Sequence, residues 1–411
     1  MTEPIRVLHF SDVHIGMESY GRTDPDTGVS TRVRDFLRRL DEMIAYAGAH
    51  DVDLTVFAGD AFKSRNPTPT FQREFAYRVQ DLAKLCPVVL LVGNHDLPSI
   101  ERRASSVEIY ETLQVPNVLV GREYKVHEIE TKRGPVVVAT APYPMRHHLL
   151  AENDLPRTIA DMDRALEEAL VARLDAMAQE ASQYDMPRIL TAHFSITGAM
   201  FGSERSVMLG RDVTVMHSVI DNPVWDYVAM GHIHQHQNLT PDRPGSPPVV
   251  YSGSLERIDF GEEADTKGFV WIELERGRAA WEFVPVHSRP FVTLRVDVRR
   301  SGDPTRKVIE EIARHDLQDA VVRVIVTADP ETDLLFQERE VFVALKNADV
   351  HHVAAIVRNV ERPARLRLGA SPEGLAPDQL LERYLASKEV PFERIEELLD
   401  HARQIFNAEV E

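Results

Sequence analysis

The sequence of 411 residues contains a single cysteine and no long apolar segment. One cysteine cannot form an internal disulfide, and Cys86, between Leu85 and Pro87 at the start of an apolar run, is expected to be a buried core thiol. No apolar run approaches the roughly 18 residues that a membrane helix needs, and the first residues lead directly into a strand pattern. We therefore expect a cytoplasmic protein with no membrane segment and no signal peptide.

Three common catalytic motifs are also absent: the phosphate-binding loop with Gly-Lys-Ser/Thr, GxGxxG and GxSxG. The chain therefore carries no motif of its own for nucleotide hydrolysis, dinucleotide binding or serine hydrolysis. Excess positive charge is lacking too, because the net charge is −18. This acidity disfavours tight binding to DNA by the chain alone, since Lys and Arg contacts to phosphates usually supply that affinity. Bound divalent cations or a basic partner protein would offset it locally.

Short apolar runs rich in β-branched residues recur through the first half of the chain. They predict buried strands at residues 5–10, 54–58, 88–92, 136–139, 189–192 and 227–230. Helical patterns lie between several of them, at residues 33–49, 71–85 and about 156–183. The last pattern places one apolar stripe on a single helix face, formed by Ile159, Met162, Leu166, Leu170, Leu174 and Met177. Strands covered by helices predict an α/β sandwich.

The pattern changes at Phe291, where apolar and polar residues begin to alternate as in a half-exposed strand. A helix at 305–315, a strand at 321–326, a helix at 338–346 and a strand at 353–357 would complete a small α+β unit. A Pro- and Gly-containing stretch then predicts a linker, and two short amphipathic helices follow. We predict a catalytic domain at 1–288, a second domain at 289–360, a linker at 361–376 and a helix pair at 377–411.

Potential metal ligands follow the apolar runs, where an α/β sheet places its binding loops. They are Asp12 and His14 after the first run, Asp60 after the second, Asn94, His95 and Asp96 after the third, and then His193, His232 and His234. Each fragment alone is weak, because a histidine at a strand end is more often structural than a ligand. Five fragments in the order DVH, GD, GNHD, H and GHIH, all at strand ends, are hard to explain by chance.

The residue types in this set suit a two-metal site. Mixed carboxylate, imidazole and amide ligands favour Mn, Fe or Zn over all-oxygen magnesium or calcium sites. A shared carboxylate such as Asp60 can bridge two ions about 3.5 to 4 Å apart, an arrangement that activates water for attack on a phosphate ester. The set therefore predicts a phosphodiesterase that depends on two metal ions.

The order of motifs resembles that of the calcineurin-like metallophosphoesterases from Asp12 to His234. The resemblance implies the two-sheet sandwich of that superfamily, flanked by helices. It assigns Asp12, His14 and His234 to one ion, Asn94, His193 and His232 to the other, and Asp60 to both. It also makes His95 a residue that contacts the phosphate and assists the leaving oxygen, with Asp96 as a second catalytic residue that orients it.

Longer segments resemble the SbcD branch of DNA double-strand-break repair nucleases: HFSDVHIG, AGDAFKSRNPTP and YSGSLERIDFGEEADTKGFVWIEL. This resemblance implies a Mn²⁺-dependent exonuclease or endonuclease and a capping domain at about 291–360 that grips DNA. It implies a homodimer formed through helices near 71–85 and 102–113. It also implies an SbcC-type coiled-coil ATPase as partner. One departure is Lys63, where relatives often carry His or an acidic residue, so a helper function there is not carried over.

The C-terminal helices are predicted to bind that ATPase. Their apolar stripes comprise Leu380, Leu381, Tyr384 and Leu385 on one helix, and Phe392, Ile395, Leu399, Ala402 and Phe406 on the other. Two helices this short cannot bury both stripes against each other alone. Residues 371–411 hold ten acidic and four basic residues, which suits a protein partner better than DNA. The alternative is that the pair packs back onto the catalytic domain of its own chain.

The remaining histidines and a basic stretch are expected to have ordinary roles. His9 lies within a strand, while His147, His148, His351 and His352 are expected in loops or at the surface. His236 is a candidate substrate contact beyond the GHIH motif. The stretch Arg358, Arg362, Arg365 and Arg367 is more often solvated than bound to phosphates.

Two alternatives stay open at this point. A phosphodiesterase for a small nucleotide would use the same ligands, but it would not need the extra domain and helix pair after residue 290. A non-catalytic adaptor of the same fold would not need to retain the whole ligand set.

Overall fold

The computed structural model describes residues 3–98, 103–150, 158–202, 213–240, 245–361, 376–388 and 390–408. The chain divides into two compact units. The first comprises Met1–Leu294, Ile312–Val324 and Phe342–Ile356, and the second comprises Arg295–Glu311, Ile325–Val341 and Val357–Glu411. The predicted domain limits at residues 288, 360 and 376 stay predictions.

One sheet of the first unit has six strands: β1 (Ile5–Phe10), β2 (Leu54–Phe57), β3 (Val88–Leu91), β4 (Val118–Gly121), β13 (Gly268–Glu275) and β14 (Arg278–Pro285). Their order is β14-β13-β1-β2-β3-β4. The strands β1 to β4 are parallel, and β13 pairs antiparallel with both β1 and β14. The carboxyl ends of β1, β2 and β3 therefore meet at the same edge.

The second sheet also has six strands: β5 (Lys125–Thr131), β6 (Gly134–Ala141), β7 (Arg188–His193), β10 (Tyr227–Gly231), β11 (Gln237–Asn238) and β12 (Val249–Tyr251). Their order is β11-β12-β10-β7-β6-β5, with β6, β7, β10 and β12 parallel. A short parallel pair, β8 (Ser195–Ile196) and β9 (Thr214–Val215), stands apart from it.

Helices cover the outer face of each sheet. They are α1 (Thr31–Ala49), α2 (Pro69–Leu85), α3 (Ile109–Thr112), α4 (Arg146–Leu149), α5 (Ile159–Ala181) and α6 (His217–Ile220). Local sequence fixes where the long helices begin. Ser30 accepts a hydrogen bond from the Arg32 amide at the start of α1, and Pro69 occupies the first turn of α2. Leu170, Leu174 and Met177 of α5 are buried against the second sheet, as its apolar stripe predicts.

Successive side chains of β1 point to opposite faces of the first sheet and enter two different cores. Ile5 and Val7 pack between the two sheets, in a core shared with Ile189 and Val250 of the second sheet. Residues on the opposite face, including Phe10, join a separate core beneath α1 and α2. The order helices, sheet, sheet, helices confirms the predicted α/β sandwich.

The remaining strands, β15 (Phe291–Asp297), β16 (Val321–Ala328) and β17 (His352–Val360), form a three-stranded sheet in that order. The helices after β15 are α7 (Pro304–Ile312), α8 (Pro330–Leu335), α9 (Glu338–Asn347), α10 (Pro377–Ser387) and α11 (Phe392–Ala408). Apart from α8, which was not predicted, these elements confirm the predicted strands and helices to within a few residues. Most of the predicted linker lies outside the described residues. Within the described part of the chain, no helix is long and apolar enough to cross a membrane.

Candidate metal centre

Five parallel strands, three from one sheet and two from the other, end at one group of polar side chains. The loops after β1, β2 and β3 supply Asp12, His14, Asp60 and Asn94, while β7 ends on His193 and the loop after β10 supplies His232 and His234. All seven predicted metal ligands are brought together, because contacts of 3.9 Å or less link them into one set.

Left-handed backbone is concentrated at this site. Asp12, His14, Asp60 and His232 have φ angles of 52°, 50°, 64° and 94°, although none is glycine. Such conformations cost free energy and persist where the surroundings hold them, typically at functional sites. Here the Asp12 amide donates to the Gly59 carbonyl over 2.9 Å, which ties the β1 loop to the β2 loop.

The glycines that precede three of the ligand positions are required by close packing. A Cβ atom on Gly59 would collide with Nδ1 of His193, and one on Gly231 would lie 2.9 Å from the same atom. A Cβ on Gly93 would collide with the Asp60 carboxylate. The GD, GNHD and GHIH motifs therefore carry glycine because two loops and a ligand side chain meet there.

The first ligand cluster is Asp12, His14 and His234. The Nε2 atoms of the two histidines lie 3.0 Å apart, and Nε2 of His14 lies 3.9 Å from Oδ1 of Asp12. Two nitrogen ligands bound to one cation at about 2.1 Å and at right angles would lie about 3.0 Å apart. The spacing of this cluster therefore fits a shared divalent ion.

The second ligand cluster is Asn94, His193 and His232. Oδ1 of Asn94 lies 3.0 Å from Nε2 of His193 and 3.1 Å from Nδ1 of His232. The other nitrogen of His193, Nδ1, donates to the Ala58 carbonyl over 2.6 Å, so in the neutral ring Nε2 turns a lone pair toward the amide oxygen. A cation between these lone pairs would satisfy both, and the mixed oxygen and imidazole donors suit Mn, Fe or Zn.

Asp60 lies between the two clusters. Its Oδ2 atom is 3.8 Å from Nε2 of His14 and 3.4 Å from Nε2 of His193, while Oδ1 accepts the His95 amide over 2.8 Å. Burial opposes ionisation of Asp60, but the neighbouring His193 and His95 rings hold its pKa well below the usual range. Burial likewise opposes charge on His193, yet the Asp60 carboxylate raises the His193 pKa to about 9 in the metal-free protein.

His95 and Asp96 of the GNHD motif have different surroundings. The His95 ring lies 4.8 Å from that of His14, and its Nδ1 donates to the Lys63 carbonyl over 2.7 Å. The Asp96 carboxylate instead accepts the backbone amides of Asp60, Ala61 and Gly93 at 2.9 to 3.0 Å. Burial and the nearby Asp60 charge raise the pKa of Asp96 to about 7. These contacts fix the loop that carries Asp60, whereas the ring of His95 is oriented by the Lys63 carbonyl and not by the predicted partner Asp96.

The sequence interpretation missed residues that surround the ligands. Ser11 donates to Oδ2 of Asp12, and its hydroxyl lies 2.7 Å from that of Ser252. The ring of Tyr143 lies 5.8 Å from the ring of His232. Glu262 accepts a hydrogen bond from Nδ1 of His234 over 2.8 Å. The longest motif that resembles the SbcD branch contains both Ser252 and Glu262, but a motif match does not say which of its side chains reach a ligand.

Glu262 is charged although it is buried. Burial alone would raise the pKa of its carboxyl, but Lys267 and His234 hold that pKa well below the usual range. The site therefore includes a fixed negative charge beside the His234 ring.

The other candidate residues make contacts within the protein. The His236 ring stacks on Phe283 at 4.0 Å and its Nδ1 donates to the Tyr251 carbonyl over 2.9 Å, so one ring nitrogen and one face are already engaged. His9 is structural as expected, because it accepts from the Tyr227 hydroxyl and donates to the Met230 carbonyl.

The remaining predicted positions lie at the surface or outside the described part. Lys63 is exposed, and Arg358 lies 3.3 Å from Asp333. His351 and His352 are half-buried, and Nε2 of His351 lies 3.1 Å from the Thr31 hydroxyl. Arg362, Arg365 and Arg367 lie outside the described residues, as do the side chains of His147 and His148.

The chain is similar to a known protein family, to a named nuclease subunit and, more distantly, to two solved structures. The sequence model of the calcineurin-like phosphoesterase family matches residues 5–236, a range that includes all seven predicted ligands. A relative from Rhodobacter capsulatus, named as the D subunit of the nuclease SbcCD, is 28% identical over 341 residues that cover 77% of each chain. A solved dimetal phosphatase from Danio rerio covers 68% of this chain and 98% of its own at 10% identity, with a TM-score of 0.41. The structure of TT1561 from Thermus thermophilus covers 69% and 99% at 14% identity, with a TM-score of 0.38.

Proposed function

Because the chain belongs to the calcineurin-like phosphoesterase family, we propose that it is a DNA nuclease with two divalent metal ions, and that Mn²⁺ is its working metal. The observation that carries the two-metal part is the pair of ligand clusters with Asp60 between them. The DNA part is supported by similarity to the D subunit of the nuclease SbcCD over 77% of both chains.

The seven ligands hold the ions in this proposal: Asp12, His14 and His234 one, Asn94, His193 and His232 the other, and Asp60 both. When bound, two such ions supply Lewis acidity for hydrolysis of a phosphate diester.

His95 has the geometry of a group that moves a proton. Because its Nδ1–H donates to the Lys63 carbonyl, the ring presents Nε2 as its other nitrogen, and one ring nitrogen lies within 4.8 Å of ligand atoms of His14 and Asp60. A protonated Nε2 would donate to the phosphate or to the leaving oxygen. Asp96 acts in this proposal as a positioning residue, because it holds the amides of Asp60 and Gly93.

The substrate is tested by a parallel assay. The purified full chain with MnCl₂ is incubated with duplex DNA, single-stranded DNA and bis-p-nitrophenyl phosphate. We expect cleavage of the small diester and of at least one DNA, with loss of both in EDTA. Hydrolysis of the diester without cleavage of either DNA would overturn the nuclease proposal and favour a small nucleotide substrate. Absence of all three activities in protein with two bound Mn²⁺ would favour the non-catalytic adaptor.

We also propose that the C-terminal helices bind an SbcC-type coiled-coil ATPase in the cytoplasm. Ile395 and Leu399 of α11 are buried, whereas Phe392 is 70% exposed and Tyr384 of α10 is 48% exposed. Exposed aromatic side chains on amphipathic helices are typical of helix-mediated protein contacts. The acidic character of the segment supports a protein partner over DNA.

Deletion of residues 372–411 should abolish co-purification with the ATPase while hydrolysis of the small diester continues. A milder variant, Tyr384→Ala with Phe392→Ala, should weaken co-purification without removing either helix. Leu334→Ala on α8 is the matched control, since Leu334 is 83% exposed but lies outside the two helices. Full-strength binding by the deletion variant would contradict this partner site.

A homodimer is proposed through α2 and α3. Tyr77 of α2, Ile109 of α3 and Leu113 just after it are exposed apolar residues. Light scattering of the Tyr77→Glu, Leu113→Glu double variant tests this, because two buried charges would dissociate such a dimer. An unchanged mass relative to the wild-type dimer, or a monomeric wild type, would contradict it.

A further inference from the structure

Glu262 is the last residue of a short 3-10 helix, Phe260–Glu262, and is fully buried. Its Oε1 accepts Nδ1–H of His234 over 2.8 Å. With the proton on Nδ1, the neutral ring turns the lone pair of Nε2 toward the first cluster, where it lies 3.0 Å from Nε2 of His14. The carboxylate therefore selects the tautomer of His234 that can ligate an ion.

Lys267 holds both Glu262 and the main chain of His234. It is 1% exposed, and its Nζ donates to Oε2 of Glu262 over 2.9 Å and to the His234 carbonyl over 3.1 Å. Oε2 of Glu262 also accepts the Ile258 amide over 3.0 Å. Both the ring and the backbone of His234 are thus tied to one buried ion pair.

A buried ion pair often adds little net stability to a fold. Desolvation of the two charges can exceed their mutual attraction, and apolar side chains of similar size often serve stability as well or better. A carboxylate on the far nitrogen of a ligand histidine has a chemical use, because it fixes the ring and raises its basicity toward the metal. The contacts of Glu262 and Lys267 match that use.

We infer that Glu262, held by Lys267, is a positioning residue that raises the affinity of the first cluster for its divalent cation. The inference rests on the metal site of the proposed function and not on its DNA substrate. Glu262 touches no substrate in this assignment and acts only through His234.

The test is Mn²⁺ binding to the full chain, measured as free Mn²⁺ by electron paramagnetic resonance without substrate. In Glu262→Gln, one of the two ions should bind about 10- to 100-fold more weakly, the usual cost of losing such a partner, while the other keeps its affinity within about threefold. Glu263→Gln is the matched control. Its carboxylate neighbours Glu262 but accepts the amide and hydroxyl of Thr293, so both affinities should stay as in wild type.

The fold is checked separately by thermal unfolding in EDTA. If Glu262→Gln fails to fold, the double variant Glu262→Gln, Lys267→Met removes both buried charges and replaces it in the titration. Unchanged affinity for both ions in a folded variant would overturn the inference, as would equal weakening in Glu263→Gln.

The failure of the nuclease proposal is distinguishable from this outcome. Wild-type protein that binds two Mn²⁺ but cleaves no DNA would refute the nuclease proposal and leave this inference standing.

Discussion

The two ligand clusters differ in what holds their histidines. In the first cluster, the far nitrogen of His234 donates to the Glu262 carboxylate. In the second, the far nitrogen of His193 donates to the Ala58 carbonyl, and Gly59 and Gly231 leave space for the ring. One cluster is thus oriented by a charged side chain and the other by close packing of backbone. Removal of the Glu262 charge should therefore weaken ion binding at the first cluster. An added side-chain atom at Gly59 should weaken ion binding at the second.

The clusters also differ in protonation before metal binds. Burial lowers the pKa of His14 in the first cluster well below the usual range, and the His234 and His95 rings lower it further. In the second cluster, burial is outweighed by the Asp60 carboxylate, which raises the His193 pKa to about 9. At neutral pH the metal-free protein therefore has a positively charged His193 ring, with both ring nitrogens protonated, and a neutral His14 ring. An ion entering the second cluster has to displace one of the His193 protons.

The largest effect is expected from a substitution that affects both clusters equally. Asp60→Ala takes a ligand from both, so Mn²⁺ binding at both sites and cleavage of the small diester should fall to background. Bound Mn²⁺ per chain after dialysis is the measurement, and Asp297→Ala, an exposed carboxylate of β15, is the control. Two tightly bound ions and near-normal activity in Asp60→Ala would refute the shared position of Asp60.

A second variant should change neither cluster. His95→Ala should lower the cleavage rate by about 10²- to 10⁴-fold, the usual contribution of general acid assistance, while both ions stay bound. His287→Ala, which alters a surface histidine, should keep the full rate. The rate is measured on bis-p-nitrophenyl phosphate beside metal content. A metal content that fell together with the rate would move His95 into the ligand set.

The sequence was sufficient to predict the sandwich and the convergence of the seven side chains that are proposed as ligands. The ligands follow strands with clear apolar runs, and parallel strands bring their ends to one edge, so position along the chain implied position in space. Strand β5 was not predicted, because only Val126 and Ile129 are buried among its residues 125–131, so the segment has neither a continuous apolar run nor a strict alternation.

Contacts made across long sequence separations could not be predicted in the same way. Glu262 reaches His234 from 28 residues away, and Lys267 from 33. The carboxylate of Asp96 was expected to orient His95, but it accepts the Gly93 amide of its own loop and the Asp60 amide of the loop after β2, 36 residues away. Such partners depend on how loops pack, which no local pattern records.

A steric substitution should affect the second cluster selectively. Gly59 has a φ of 99°, and an added Cβ would displace His193, so Gly59→Ala should weaken the second ion by about 10- to 100-fold, as loss of a supporting contact does. Gly28→Ala is the matched control. Gly28 has a φ of 68° with nothing near its Cβ position, so this change should cost about 1 to 2 kcal/mol of unfolding free energy without affecting Mn²⁺. Weakening of the first ion alone in Gly59→Ala would contradict the comparison.

The smallest effect, counted for each pH unit, is a pH dependence confined to the second cluster. Because the His193 pKa is about 9 in the folded metal-free protein and about 6.5 in an unfolded chain, its charged form stabilises the metal-free fold fully below pH 6.5. That stabilisation is lost as pH rises through 9. Below pH 9 the second ion has to displace one proton from His193. Its affinity should therefore rise by about tenfold for each pH unit up to pH 9.

Calorimetry of Mn²⁺ binding at pH 7.5, in buffers of different ionisation enthalpy, should show release of about one proton for the second ion. His193→Asn should abolish this release, whereas His127→Asn, at a half-buried histidine of β5, should keep it. Binding of the second ion without proton release in the wild-type protein would show that His193 is already neutral, and the contrast in protonation between the two clusters would be wrong.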